Sequence, residues 1–142
     1  MSAAAAVLCL GACGSHTYTK SDFIARADAI CTSTLHSARA GSQTGDLTAY
    51  LDGLVTLLAS EEQALRALPL PKQSPADKAI LQRYFASLRS DLASYRALAG
   101  ATRRGDAGAA ADAEAALRAS PTTTLATRYG LSTCSQPGST NA

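Results

Sequence analysis

The sequence predicts an all-α protein, an antiparallel four-helix bundle with a kinked or interrupted fourth helix, closed by one disulfide. Three observations carry that class. Alanine supplies 31 of the 142 residues, while valine is nearly absent and isoleucine occurs only at Ile24, Ile30 and Ile80. A chain rich in Ala and poor in β-branched residues favours helix over sheet. Apolar residues then recur at three- and four-residue spacing in successive runs, and short breaker segments separate those runs, as expected of helices that pack against their sequence neighbours. A chain of this length fits one small domain.

Each helix has its own start and stop. Thr19-Lys20-Ser21-Asp22 offers a hydroxyl cap with an acid three residues on, and Phe23, Ile24, Ala27, Ile30, Cys31, Leu35 and Ala38 follow at helical spacing to about Ala40. Gly41-Ser42-Gln43-Thr44-Gly45 breaks the pattern. Asp46 then caps a second run with Leu47, Leu51, Leu54, Leu58, Leu65 and Leu68 on one face, ending by Leu68. Pro69-Leu70-Pro71-Lys72-Gln73 is a stiff extended link. Ser74-Pro75-Ala76-Asp77 supplies a cap, a proline at the first helical position and an acid in the first turn. The third helix carries Leu81, Tyr84, Phe85, Leu88, Leu92, Tyr95, Leu98 and Ala99 over about five turns, a stripe broad enough for the central helix of a bundle.

The fourth run starts at Asp106, after the turn Arg104-Gly105-Asp106, and its apolar face is thin: Ala110, Ala113, Leu117, Leu125 and Tyr129. Pro121 lacks the amide that a continuous helix needs, so the helix must kink or restart, with Ser120 as new cap and Pro121 as first position. Gly130 offers a left-handed stop.

The first twelve residues read as an export signal, an apolar run ending in small residues before a cysteine. Leu10-Gly11-Ala12-Cys13 resembles the bacterial lipobox, which implies that Cys13 is alkylated by diacylglycerol and becomes the first residue of the mature chain. No Lys or Arg precedes the run, a departure that points to a start codon set too far downstream. The organisation expected is a signal peptide over 1–12, a lipidated tether over 13–20, the bundle over 21–134 and a flexible tail over 135–142. From Gly14 to Lys20 the tether spans at most about 25 Å, which keeps the bundle close to the outer face of the cytoplasmic membrane. The rival reading is a buried N-terminal helix with chance cysteines.

With Cys9 lost in the signal and Cys13 acylated, Cys31 and Cys134 remain as one pair in an oxidising compartment and are expected to form a disulfide. The loop closed is roughly 100 residues, worth about 4.7 kcal/mol in the chain-entropy model. A metal site is the alternative, but His16 lies in the tether and only His36 is near Cys31, so no ligand cluster of the usual spacing forms.

Phe23-Ile24-Ala25-Arg26-Ala27-Asp28-Ala29-Ile30-Cys31, together with Arg128-Tyr129-Gly130-Leu131-Ser132-Thr133-Cys134, resembles small secreted lipoproteins of actinobacteria, a family of uncharacterised function. The resemblance implies the lipid on Cys13 and the Cys31–Cys134 bridge, and transfers no catalytic residue. Pro121 departs from the smoother last helix expected of such proteins.

The search for chemistry yields little. Glu61-Glu62-Gln63-Ala64-Leu65 has no His three residues on, as a di-iron bundle requires. No Cys-x-x-Cys-His, Gly-x-Ser-x-Gly or phosphate-cradling Gly loop occurs, and His36, five residues after Cys31, falls on another helical face. No catalytic residue, cofactor or metal is expected, and the chain is read as a non-enzyme. Thirteen basic residues against eleven acidic give +2, too weak a balance for nucleic-acid binding. The longest apolar run is about half of what a membrane span needs. Arg89, Arg96 and Arg103, seven residues apart, form a basic line on the third helix. That line is either a solvated face or a contact for anionic headgroups or an acidic wall polymer. Tyr50, Tyr84 and Tyr95 belong to core stripes. The function expected is a membrane-anchored extracytoplasmic binding or interaction module of unknown ligand; the alternative is a passive structural or envelope-stress lipoprotein with none.

Overall fold

The computed structural model describes residues 17–136. Those residues form five α-helices: α1 Lys20–Gly41, α2 Leu47–Ala67, α3 Pro75–Arg104, α4 Ala107–Arg118 and α5 Thr122–Tyr129, with a 3-10 turn at Ser42–Thr44 after α1. No strand occurs among the described residues.

Helix starts follow the caps that the sequence offers. Thr19 and Asp22 form a reciprocal capping box: the Asp22 amide donates to Thr19 Oγ1 at 3.2 Å, and the Thr19 amide donates to Asp22 Oδ2 at 2.8 Å. Asp46, Ser74 and Asp106 each accept the amide three residues on, which satisfies a donor that a helix start otherwise leaves free. Gly130 ends α5 at φ 102°, a conformation costly for any residue with a Cβ. A side chain there would also crowd Ile24, whose Cδ1 is 3.2 Å from the position a Cβ would take.

The break at Pro121 differs in detail from the sequence reading. Pro121 is itself the N-cap of α5, without a side-chain capping bond, and Thr122 is the first helical residue. Ser120 still receives the Thr122 amide at 3.2 Å, but its own hydroxyl proton is directed inward to Asp91 at 2.9 Å. One hydroxyl thus serves both the restarting helix and the buried acid. Leu47 also departs from expectation: as first residue of α2 it projects beyond the core and is 61% exposed.

The helices pack around α3, which lies against α2, α4 and α5, while α1 packs along α2. The interior has two apolar clusters. One gathers Phe23, Ala27, Leu65, Leu81, Tyr84, Leu88, Leu125 and Tyr129; the other gathers Ala38, Leu54, Leu58, Leu92, Tyr95 and Leu117. Between α1 and α5 the contact is made by side chains: Phe23 meets Tyr129 edge to face, with centroids 5.7 Å apart. Cys31 and Cys134 are bridged there, with Cα atoms 5.3 Å apart, inside the range a disulfide spans without backbone movement.

Asp28, one turn before Cys31, completes this closure. Its carboxylate accepts the Ser132 hydroxyl at 2.6 Å, the Ser132 amide at 3.1 Å and the Thr133 amide at 2.9 Å. Charge-assisted bonds of this kind are about twice as strong as neutral ones.

On α3, Leu88 and Leu92 are 7% and 6% exposed, while Arg89 and Arg96 face solvent. In the disulfide-intact protein, Leu88→Ala should therefore cost about 2 to 5 kcal/mol in chemical denaturation and Arg89→Ala under about 0.5 kcal/mol. Equal costs would mean that the face is misassigned.

Candidate functional site

Cys13, the expected lipid site, and His16 lie outside the described residues. Cys31 and Cys134 are joined to one another and buried, so neither supplies a nucleophilic thiol. His36 is exposed on α1, whereas Cys31 points into the core. Of the basic line, Arg103 pairs with Asp52 of α2, and Arg89 and Arg96 remain on the exposed flank of α3. No group of three or more His, Cys, Asp or Glu among the described residues is placed to hold a metal ion.

What the helices do bring together is a polar layer at mid-height, between the two apolar clusters. Thr34 comes from α1, Glu61 from α2, Ser87 and Asp91 from α3, and Thr122 from the start of α5; all five are buried. Their phases explain the convergence: Glu61 lies three residues after Leu58 and four before Leu65, and Asp91 three after Leu88 and four before Tyr95. Each acid occupies an inward position on its helix.

The two halves of the layer are satisfied differently. Asp91 Oδ2 accepts the Thr122 hydroxyl at 2.6 Å and the Ser120 hydroxyl at 2.9 Å, and Ser87 Oγ lies 2.5 Å from Thr122 Oγ1. Burial pushes the Asp91 carboxyl above the ordinary aspartate value, and the two hydroxyl bonds pull against that shift. Glu61, only 4% exposed, has less help: burial raises its carboxyl, a bond with Thr34 opposes this, and Oε2 has no hydrogen-bond partner among the described residues. Tyr84 feels both acids. Burial first, then the charges of Glu61, Asp28 and Asp91, drive its phenol well above the ordinary tyrosine value. A neutral tyrosine close to two reluctant carboxyls is a site where protonation and packing are linked.

Three surface clefts border this interior. One of about 260 Å³ opens between α1 and α2, with Thr34 and Glu61 in its lining beside Ser33, Ser37 and Ser60. A second, about 380 Å³, lies over Ser87, Asp91 and Ser120. The largest, about 470 Å³, is walled by Tyr50, Leu51, Tyr95, Leu98 and Leu117, with Thr102, Glu114 and Arg118 adding polar groups. That volume and mixture suit a small amphiphilic ligand.

Glu61 gives the layer a pH signature. A carboxyl raised in the folded state contributes stability that is complete below the ordinary glutamate value and is lost as pH rises through the raised one. Glu61→Gln should therefore be more stable than the parent at about pH 7.5, with a smaller difference near pH 4, and its stability should fall less steeply between them. Asp91, shifted in the same direction, leaves some slope in the variant. Urea denaturation across this range checks it; an unchanged slope would show that Glu61 ionises freely in the fold.

No protein-family model matches the chain, and neither the curated proteins nor the solved structures yield a match, so its chemistry has to be read from its own side chains.

Proposed function

We propose that this protein is a lipid-anchored, extracytoplasmic binding module: an antiparallel four-helix bundle held at the outer face of the cytoplasmic membrane through a diacylglycerol on Cys13. The observation that carries the reading is the Cys31–Cys134 bridge. Such bonds persist in oxidising compartments, and this one engages both cysteines beyond the tether, so that Cys13 at the end of Leu10-Gly11-Ala12-Cys13 is the thiol left for lipid. The similarity of residues 23–31 and 128–134 to small actinobacterial lipoproteins supports the same placement.

The up-down-up-down course is supported by the short connections and by the ion pair between Lys20 and Asp77, which joins the first turns of α1 and α3. The binding role draws support from the cleft of about 470 Å³ on α2, α3 and α4. Its tyrosines and leucines suit an apolar ligand body, and Glu114 and Arg118 a polar end.

Two readouts on one preparation test the proposal. Membrane-extracted protein should carry the mass of a lipidated Cys13, and Cys13→Ala should lose that mass and its membrane partition. The same protein in a thermal-shift screen of envelope lipids, haem, metals and sugars should show a hit worth about 2.7 kcal/mol at 100 times the dissociation constant. An unmodified Cys13 in the membrane fraction overturns the anchor. A screen without any hit favours the passive structural role.

A further inference from the structure

We infer that the module stands end-on against an anionic bilayer, meeting it through the end of the bundle where α2 leads into α3, with Leu70 at the contact. The inference rests on the lipid anchor proposed above and names the face that the anchor brings to the membrane.

Four chain segments converge on this end. Lys20, in the first turn of α1, donates to Asp77 in the first turn of α3 at 2.7 Å, and its ammonium lies 4.6 Å from the ring centre of Tyr129 in the last turn of α5. Tyr18, Ile24 and Leu68 pack on the same cluster as Tyr129 and Leu131. The described chain begins here, at residue 17, only four residues after Cys13. That stretch spans at most about 14 Å. Since α2 has 21 residues and is about 31 Å long, the lipid cannot be seated anywhere near the other end.

Apolar exposure agrees. Among the described residues two large hydrophobic side chains are markedly exposed, Leu47 at 61% and Leu70 at 68%, and they lie at opposite ends of α2. Only Leu70 is at the tethered end, where with Pro71, Lys78, Leu81 and Phe85 it lines a groove of about 270 Å³.

Charge selects an anionic surface. The acids of the tethered end are all engaged within the protein: Asp22 caps α1, Asp28 holds Ser132 and Thr133, Glu62 pairs with Arg66 and Asp77 with Lys20. Lys72, Lys78 and Arg128 are exposed and have no carboxylate partner among the described residues. At the opposite end Arg103 is neutralised by Asp52, and the cap acids Asp46 and Asp106 offset the exposed Arg39 and Arg104, so that end carries no comparable excess of cations. A leucine flanked by unpaired cations is the composition that settles into a headgroup layer, the cations on lipid phosphate and the apolar side chain below them. The arginine flank of α3 runs along the bundle and stays clear of the surface in this pose.

The protein contains no tryptophan, so one introduced residue reports alone. Full-length lipidated Leu70→Trp and Leu47→Trp, both substitutions at exposed positions, are reconstituted into vesicles of phosphatidylglycerol and brominated phosphatidylcholine. Leu70→Trp should lose most of its fluorescence to the bromines and Leu47→Trp should keep it. Replacing Lys72, Lys78 and Arg128 together by Gln in the Leu70→Trp protein should weaken the quenching while flotation with vesicles persists. Flotation with equal quenching of both reporters means a side-on pose and overturns the docking face alone. Flotation with neither quenched means a bundle held off the surface, and overturns it as well. Protein that fails to float overturns the anchor and the docking face together.

Discussion

The rest of the structure depends on how α1 is closed against the chain that follows α5. Among the helices, α1 has a close backbone neighbour only in α2, whereas α3 is surrounded by α2, α4 and α5. Without a further tie α1 would be held on one side. Beyond Lys20, which reaches Asp77 and Tyr129 at the half-exposed end, the tie is made within three turns of α1 by Phe23 on Tyr129, Asp28 on Ser132 and Thr133, and Cys31 on Cys134. Their strengths are of different kinds. The aromatic contact adds about 0.5 to 1.5 kcal/mol beyond its burial. The bridge, whose cysteines are 103 positions apart in the sequence, mainly restricts the unfolded chain. Asp28 fixes the direction in which the C-terminal turn leaves α5, and so brings Cys134 to Cys31.

The polar layer is the second constraint, and it is tied to the interruption at Pro121. A continuous last helix would carry its backbone past α3 without releasing Ser120 and Thr122 to face Asp91. The break turns both hydroxyls inward, and Asp91 obtains the donors that a buried carboxyl needs. Satisfied networks of this kind specify register, because sliding α3 by a turn would strand the acid among apolar side chains. Glu61, without an equivalent set of donors, is the part of the layer left sensitive to pH.

Much of this fold is legible in the sequence. Thr19, Asp46, Ser74 and Asp106 cap the helices they precede, and Gly130 stops the last one, because capping and left-handed stops are local effects that the residue itself largely decides. Cys31 and Cys134 pair as counting suggests, and Leu88 and Arg89 fall on opposite sides of exposure as their spacing requires. What the sequence hides is tertiary. Asp28, Glu61 and Asp91 form no motif; their only signal is an acid in or beside the phase of an apolar stripe, which reads equally well as a solvated flank until the partner hydroxyls are placed. Ser120 illustrates the same limit, since its hydroxyl accepts the Thr122 amide as a cap does and also donates to Asp91, a second partner that only the fold supplies. Leu47 shows the reverse: its phase is apolar, but its place at the end of α2 leaves it on the rim of the cleft beside Tyr50 and Leu51, mostly exposed.

The closure of α1 is tested most directly by amide hydrogen exchange on a Cys31→Ser, Cys134→Ser variant compared with the bridged protein. Exchange reports local opening element by element, so it can separate a lost tie from a general loss of stability. The account predicts that amides of α5 and of the turn through Leu131 to Cys134 lose protection first, followed by the first turns of α1, while those at the centre of α3 stay the most protected. Protection lost evenly across all the helices, or an α5 as protected as in the bridged protein, would contradict it.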